Sequence, residues 1–151
     1  GITTLAKDSI FMMPQLGVLA QVHPDAAMAV FLRDCLIHLG SCVAPRGVGK
    51  PGKPCFEFEI SGDGIHEKGE LHVGELRLIP LADGRKARIT VRPARGFDMG
   101  EGPKKEVAGE VRGGTVGVIL DARGRPLEFP QDEAARLAAV RNWTAALDLY
   151  P

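Results

Sequence analysis

Two stretches carry residue types that could do chemistry. "RPARGFDMGEGPKKE" sets Arg92, Arg95 and Asp98 ahead of a glycine-rich turn, and "DARGRP" sets Asp121 ahead of Arg123, Gly124 and Arg125. Four guanidinium groups near two turns could form an anion- or protein-docking surface, because each presents a planar fork of donors that matches carboxylate and phosphate oxygens. Asp98 and Asp121 would then shape the turns. The same residues suit a purely structural account. Asp at the first position and Gly at the fourth fit a type I turn, or a hairpin loop with its glycine left-handed. Pro126 restricts strand pairing beyond it and suits an edge. Residue types alone favour the turn. If the arginines dock a partner instead, replacing Arg123 and Arg125 with Ala weakens binding and leaves the melting temperature nearly unchanged.

Other candidate chemistries fail on spacing. "GVGKPGKP", residues 47 to 54, has the flavour of a phosphate loop. However, Ala44 stands where the first glycine belongs, and Pro51 replaces the hydroxyl residue that would hold magnesium. "HPD" at 23 to 25 matches the tripeptide of J-domain co-chaperones, yet no Lys or Arg lies in the helix expected before it, so it reads as a helix start. Ser9, Ser41 and Ser61 are the only serines, and none sits in GxSxG. No paired carboxylates stand out for acid–base work, and His66 and His72 flank "EKGE", which reads as a solvated hairpin turn. Cys35, His38 and Cys42 allow a metal site to be imagined, but a structural zinc site wants four well-spaced ligands. The catalytic expectation is therefore none, and the metal expectation none. Three cysteines without CxxC spacing, and no signal peptide, read as reduced thiols in a cytoplasmic protein.

The elements that would position these residues follow from periodicity. "GITTLAKD" alternates like a strand with no partner nearby, and lacks an initiator Met, which suggests a fragment of something larger. "SIFMMPQLGVLAQV" predicts a short helix beginning near Pro14. "HPDAAMAVFLRDCLIHLG" predicts a helix from Pro24 to Gly40, with Met28, Phe31, Leu32, Cys35, Leu36 and Leu39 as one apolar stripe, covered on two sides and central to the packing. Beyond Gly40 come strands: "SCVAPRG", "CFEFEIS", "GELHVGELRLIPLA", "KARITVRPA", "KEVAGEVRG" and "TVGVILD". The chain closes with an amphipathic helix carrying Leu137, Val140, Trp143, Thr144 and Leu147 on one face. The expected class is α+β: an antiparallel β-barrel or sandwich-like module flanked by two N-terminal helices and one C-terminal helix.

A length of 151 residues suits one compact core. Charge balances at 19 basic against 19 acidic residues, which argues against a general nucleic-acid or membrane-surface binder. The balance is uneven, though. Residues 85 to 125 hold ten Lys/Arg against five Asp/Glu, and the remainder holds nine against fourteen. An OB-like barrel binding single-stranded nucleic acid through this basic half is one alternative function, but only Phe97 is available there for base stacking. A small enzyme of unknown type is a second alternative.

The succession "GITTLAKD", "MMPQLGVLAQVHPDAA", "LGSCVAPRG", "GELRLIPLADGRKARITVRPARGFDMGEG" and "VRGGTVGVILDARGRPLEFPQDEAARLAAVRNWTAAL" resembles the C-terminal part of the glutamate mutase L accessory proteins, over essentially the whole chain. The resemblance implies an actin-like ATPase family, chaperone-like towards cobalamin-dependent mutases. It implies a division into a helical tail of the ATPase body (1–40), a β-rich module (41–129) and a C-terminal helix (130–151). ATP and magnesium would belong upstream, with no cofactor in this stretch. The implied partners are a cobalamin-dependent mutase subunit or the ATPase body itself, with no membrane. The family offers no catalytic residues to carry over, so Arg92, Arg95, Asp98, Asp121, Arg123 and Arg125 stand as the expected partner contacts.

Overall fold

A computed structural model describes residues 1–9, 12–62, 64–124, 132–135 and 138. The chain runs β1 (Ile2–Asp8), α1 (Met13–Ala20), α2 (Pro24–Val30), a π-helical turn (Phe31–Cys35), then β2 (Leu36–Val43), β3 (Arg46–Gly47) and β4 (Pro54–Gly62). It continues through β5 (Ile65–His72), β6 (Leu76–Ile79), β7 (Lys86–Pro93), β8 (Phe97–Asp98), β9 (Val107–Arg112) and β10 (Gly117–Asp121). The class is mixed α+β with strands dominant.

One sheet has the order β5-β4-β7-β9 and is antiparallel throughout. Its logic is visible in the alternation of β4, where Phe56, Phe58 and Ile60 are buried while Glu57 and Glu59 stay exposed. In β7, Ala87, Ile89 and Val91 likewise point inward from between Lys86, Arg88 and Arg92. A period of two puts one set of side chains on each face, so a half-buried strand alternates. "EKGE" lies inside β5 rather than at a hairpin turn.

The second sheet, β1-β2-β10-β6, departs from expectation. The opening strand does have a partner: β1 pairs antiparallel with β2, from Ile2 opposite Val43 to Asp8 opposite Leu36. β10 then inserts parallel to β2, so the arrangement is not purely antiparallel. Two glycines permit that insertion. Gly117 opposes Gly40, and a Cβ on Gly40 would lie 1.8 Å from the Gly117 carbonyl oxygen. Gly40 was expected as a helix stop; its role is to let two backbones approach.

Both sheets feed one core, in which Val43, Ile79, Val118 and Leu120 join Phe56, Ile60, Ile89 and Val91. The sheets do not close on one another into a barrel. They are stitched at one edge, where the Arg112 N–H of β9 donates to Ser41 Oγ of β2 at 2.8 Å.

The helix expected over residues 24 to 40 ends early. α2 stops at Val30, and from Leu36 the chain is strand. The segment "LIHLG" satisfies a helical stripe and a strand alternation equally well, and pairing with β1 on one side and β10 on the other selects the strand. The stripe is not central to the packing either: Met28 is 57 % exposed and Leu32 54 %. The boundary placed between residues 40 and 41 falls inside β2. Of the C-terminal helix, Asp132 Oδ2 accepts the Ala135 N–H at 2.8 Å; Leu137, Val140, Trp143, Thr144 and Leu147 lie outside the described residues.

Candidate functional site

The end of β10 carries the first of the two singled-out turns. Asp121 has a side chain with no exposed surface, and it faces back onto Arg123. Its Oδ1 accepts both the Arg123 backbone N–H and Nε at 3.0 Å, while Oδ2 accepts Nη2 at 2.9 Å. The fork is thus bidentate, and the Arg123 side chain is only 18 % exposed. Gly124 follows with φ of +79°, the left-handed value that favours glycine. The β5–β6 turn clamps the same point, with Ala122 donating to the Glu75 carbonyl and Gly74 donating to the Ala122 carbonyl, each at 2.9 Å.

This geometry bears on the expectation that Arg123 could be removed at little cost in stability. A buried carboxylate robbed of its bidentate partner is strongly destabilising, so Arg123 holds the turn together. Asp121 also acts on Cys55, whose thiol is pushed up to about 11, chiefly by burial and secondarily by the Asp121 charge. Cys55 therefore stays a protonated, inert thiol. Cys35 and Cys42 are likewise buried and free of disulfides. Arg125 lies outside the described residues.

The second turn separates its members. Arg92 stands on the outer face of β7, paired with Glu106 (Nε to Oε2 2.9 Å) and, at 3.6 Å, with Glu57. Arg95 is exposed in the β7–β8 turn and makes no ion pair among the described residues. Asp98 accepts N–H donors from Gly100 at 2.6 Å and Gly102 at 3.1 Å. Those donors, Gly100 first, hold its carboxyl below the usual range. Arg123 shares a groove of about 250 Å³ with Gly47, Val48, Phe97 and Ala122. Arg92 lines a different one of about 530 Å³, with Glu57, Glu59, Glu70 and Glu106. Arg92 and Arg123 thus line separate grooves.

No family model, no curated protein and no solved structure matches this chain. Function must accordingly be argued from its own surface.

A further feature of that surface lies on the α1–α2 hairpin. Met13 (56 % exposed), Val18 (66 %), Val22 (70 %), Met28 and Leu32 all project from the α1–α2 hairpin. Among the described residues only Leu16, Ala27 and Cys35 are buried there, and none of them belongs to the β-core. A signal was present: residues 12 to 22 contain no charged side chain at all, which is unusual for a helix facing water. Among the described residues no helix is long and apolar enough to cross a membrane.

The loop 47–54 leads from β3 into β4, with no helix after it. A phosphate loop holds its ligand at a helix N-terminus, so these residues do not fit ATP and magnesium.

Proposed function

We propose that this chain is a non-catalytic docking module of an accessory protein for a cobalamin-dependent mutase, and that it docks through the α1–α2 hairpin. The observation that carries the docking is the exposure of Met13, Val18, Val22, Met28 and Leu32 on this one hairpin. One exposed apolar side chain is ordinary; five within twenty residues that carry so few charges support an interaction surface. The mutase context rests on the resemblance to the glutamate mutase L accessory proteins. In that reading residues 9 to 39 belong with an actin-like ATPase body, and the occupant of the hairpin face is that body. The two sheets serve as a sandwich-like support, and ATP and magnesium act in the body rather than here.

Nucleic-acid binding is the weaker reading. Stacking needs accessible rings, and Phe56, Phe58 and Phe97 are buried.

Two measurements test the proposal. An immunoblot of the source cells should show a polypeptide several times larger than 16.1 kDa, with the ATPase body covalently joined to this module. In that full chain, Val18→Glu with Val22→Glu should detach the module from the body, read as a protease-sensitive junction in limited proteolysis. A band at 16.1 kDa, or unchanged proteolysis, would remove the ATPase body as the occupant. Failure of the tagged full chain to retain a cobalamin-dependent mutase would remove the accessory role.

A further inference from the structure

We propose that the β6–β7 turn, together with the facing end of β1 and β2, forms a binding site for a small phosphate-class oxyanion. This site is independent of the helical hairpin. Thr4 of β1, His38 of β2, the turn Asp83–Gly84–Arg85–Lys86 and Arg112–Gly113 line an open cleft of about 220 Å³. An adjoining cavity of about 250 Å³ is lined by Ser61, Lys86, Arg88 and Glu110, so Lys86 sits between the two.

The positions are set by backbone, not by chance side-chain placement. Lys86 opposes Arg112 in the β7–β9 pairing. The Gly113 N–H donates to the Arg85 carbonyl at 2.9 Å, and the Arg85 N–H donates to the Ala82 carbonyl at 3.0 Å. Gly113 passes so close to the turn that a Cβ there would lie 1.9 Å from the Ala82 oxygen. On the opposite wall, the Thr115 N–H donates to the His38 carbonyl at 2.9 Å, fixing β2 against the segment that follows Arg112.

Charge at the cavity is positive in excess. Glu110 is shared between Lys86 at 3.0 Å and Arg112 at 3.3 Å. Asp83 turns its Oδ1 to the Gly84 N–H at 3.0 Å. Arg85 and Arg88 make no ion pair among the described residues. Guanidinium groups supply planar paired donors to oxyanions, and the Thr4 hydroxyl adds a neutral donor. With about 30 Å³ of liquid per water molecule, the cleft has room for a phosphoryl group and a small organic remainder.

Titration with inorganic phosphate, followed by amide NMR at constant ionic strength, should give saturable shifts at Thr4, Gly84, Arg85 and Gly113. Arg85→Ala and Arg112→Ala should each weaken the affinity about tenfold, the scale of a lost charged hydrogen bond, and Arg85→Lys should recover part of it. A parallel titration with glycerol phosphate separates the sources. Tighter binding than inorganic phosphate indicates an esterified ligand, and equal binding indicates the free ion. Shifts that never saturate, or equal affinity in wild type and Arg85→Ala, overturn the site. Should Arg112→Ala disturb the sheet, Arg85→Ala decides by itself, because its exposed side chain makes no ion pair among the described residues.

Discussion

Phe56, Ile60, Leu71 and Ile89 in the two-sheet body have no exposed surface, whereas Val18 and Val22 in the α1–α2 hairpin are 66 % and 70 % exposed. Both regions are apolar in sequence, yet only one has found its covering within the described chain. The body buries its apolar strand faces against each other and spends its buried charge on a bidentate pair. The hairpin leaves the body at Asp8 and returns at Leu36, on adjacent antiparallel strands, and its described residues contribute nothing to the β-core. Removing apolar area from water is worth roughly 25 cal/mol per Å², so an uncovered hairpin face is free energy still open to a partner. If the hairpin docks as proposed, stability and docking belong to separate parts of this molecule, and substitutions should act on one without the other.

The largest effect is expected where the body's backbones touch. Gly117→Val would place a side chain against the Ile79 carbonyl oxygen, which already lies 2.3 Å from where a Cβ would sit, and at a φ of +98°. The protein should fail to fold at room temperature, seen as loss of its far-UV sheet signal. A folded Gly117→Val protein would mean that β10 does not insert beside β2 as described.

Next in size is Asp121→Ala, which removes the bidentate carboxylate from a mostly buried Arg123. Urea denaturation should report a loss of about 3–5 kcal/mol. A loss no larger than that of an exposed ion pair, below about 1 kcal/mol, would return Arg123 to the list of docking residues.

Alkaline pH provides a gentler probe of the same corner. The Cys55 thiol is raised in the folded state from an ordinary 9.0 to about 11. The neutral thiol therefore favours folding in full below pH 9.0, and that contribution is lost as pH rises through 11. Thermal melts between those values should fall with pH in the wild type and fall less in Cys55→Ala. Parallel slopes would remove Cys55 as the cause.

The smallest effect on stability is expected in the hairpin. Val18→Glu with Val22→Glu should shift the unfolding free energy of the isolated chain by no more than about 0.5 kcal/mol, the usual range for exposed positions. A larger loss would show that the hairpin is packed after all, and the contrast between the two regions would disappear.

Several elements were legible before any coordinates. Alternation placed β4, β7 and β9 within a residue or two, because a strand with one wet face repeats every two residues whatever its neighbours do. Pro14 and Pro24 marked helix starts, since proline lacks only an N–H that a first turn leaves unused. β2 was not legible. Its residues fit a helix as well as a strand, and the choice came from β10, whose Gly117 is far away along the chain. The proposed oxyanion cavity was hidden for the same reason: Thr4, His38, Arg85 and Arg112 share no motif and meet only through strand pairing.

By itself, then, the sequence determined local periods, turn positions and the uncharged character of residues 12 to 22. All of these follow from short-range sterics and from which side chains tolerate water. Tertiary structure decided the parallel insertion of β10, the inward turn of Arg123 onto Asp121 and the convergence of four distant residues on one cavity. Those outcomes depend on backbone surfaces brought together across the chain, and a local pattern carries no record of which distant surface will complete it.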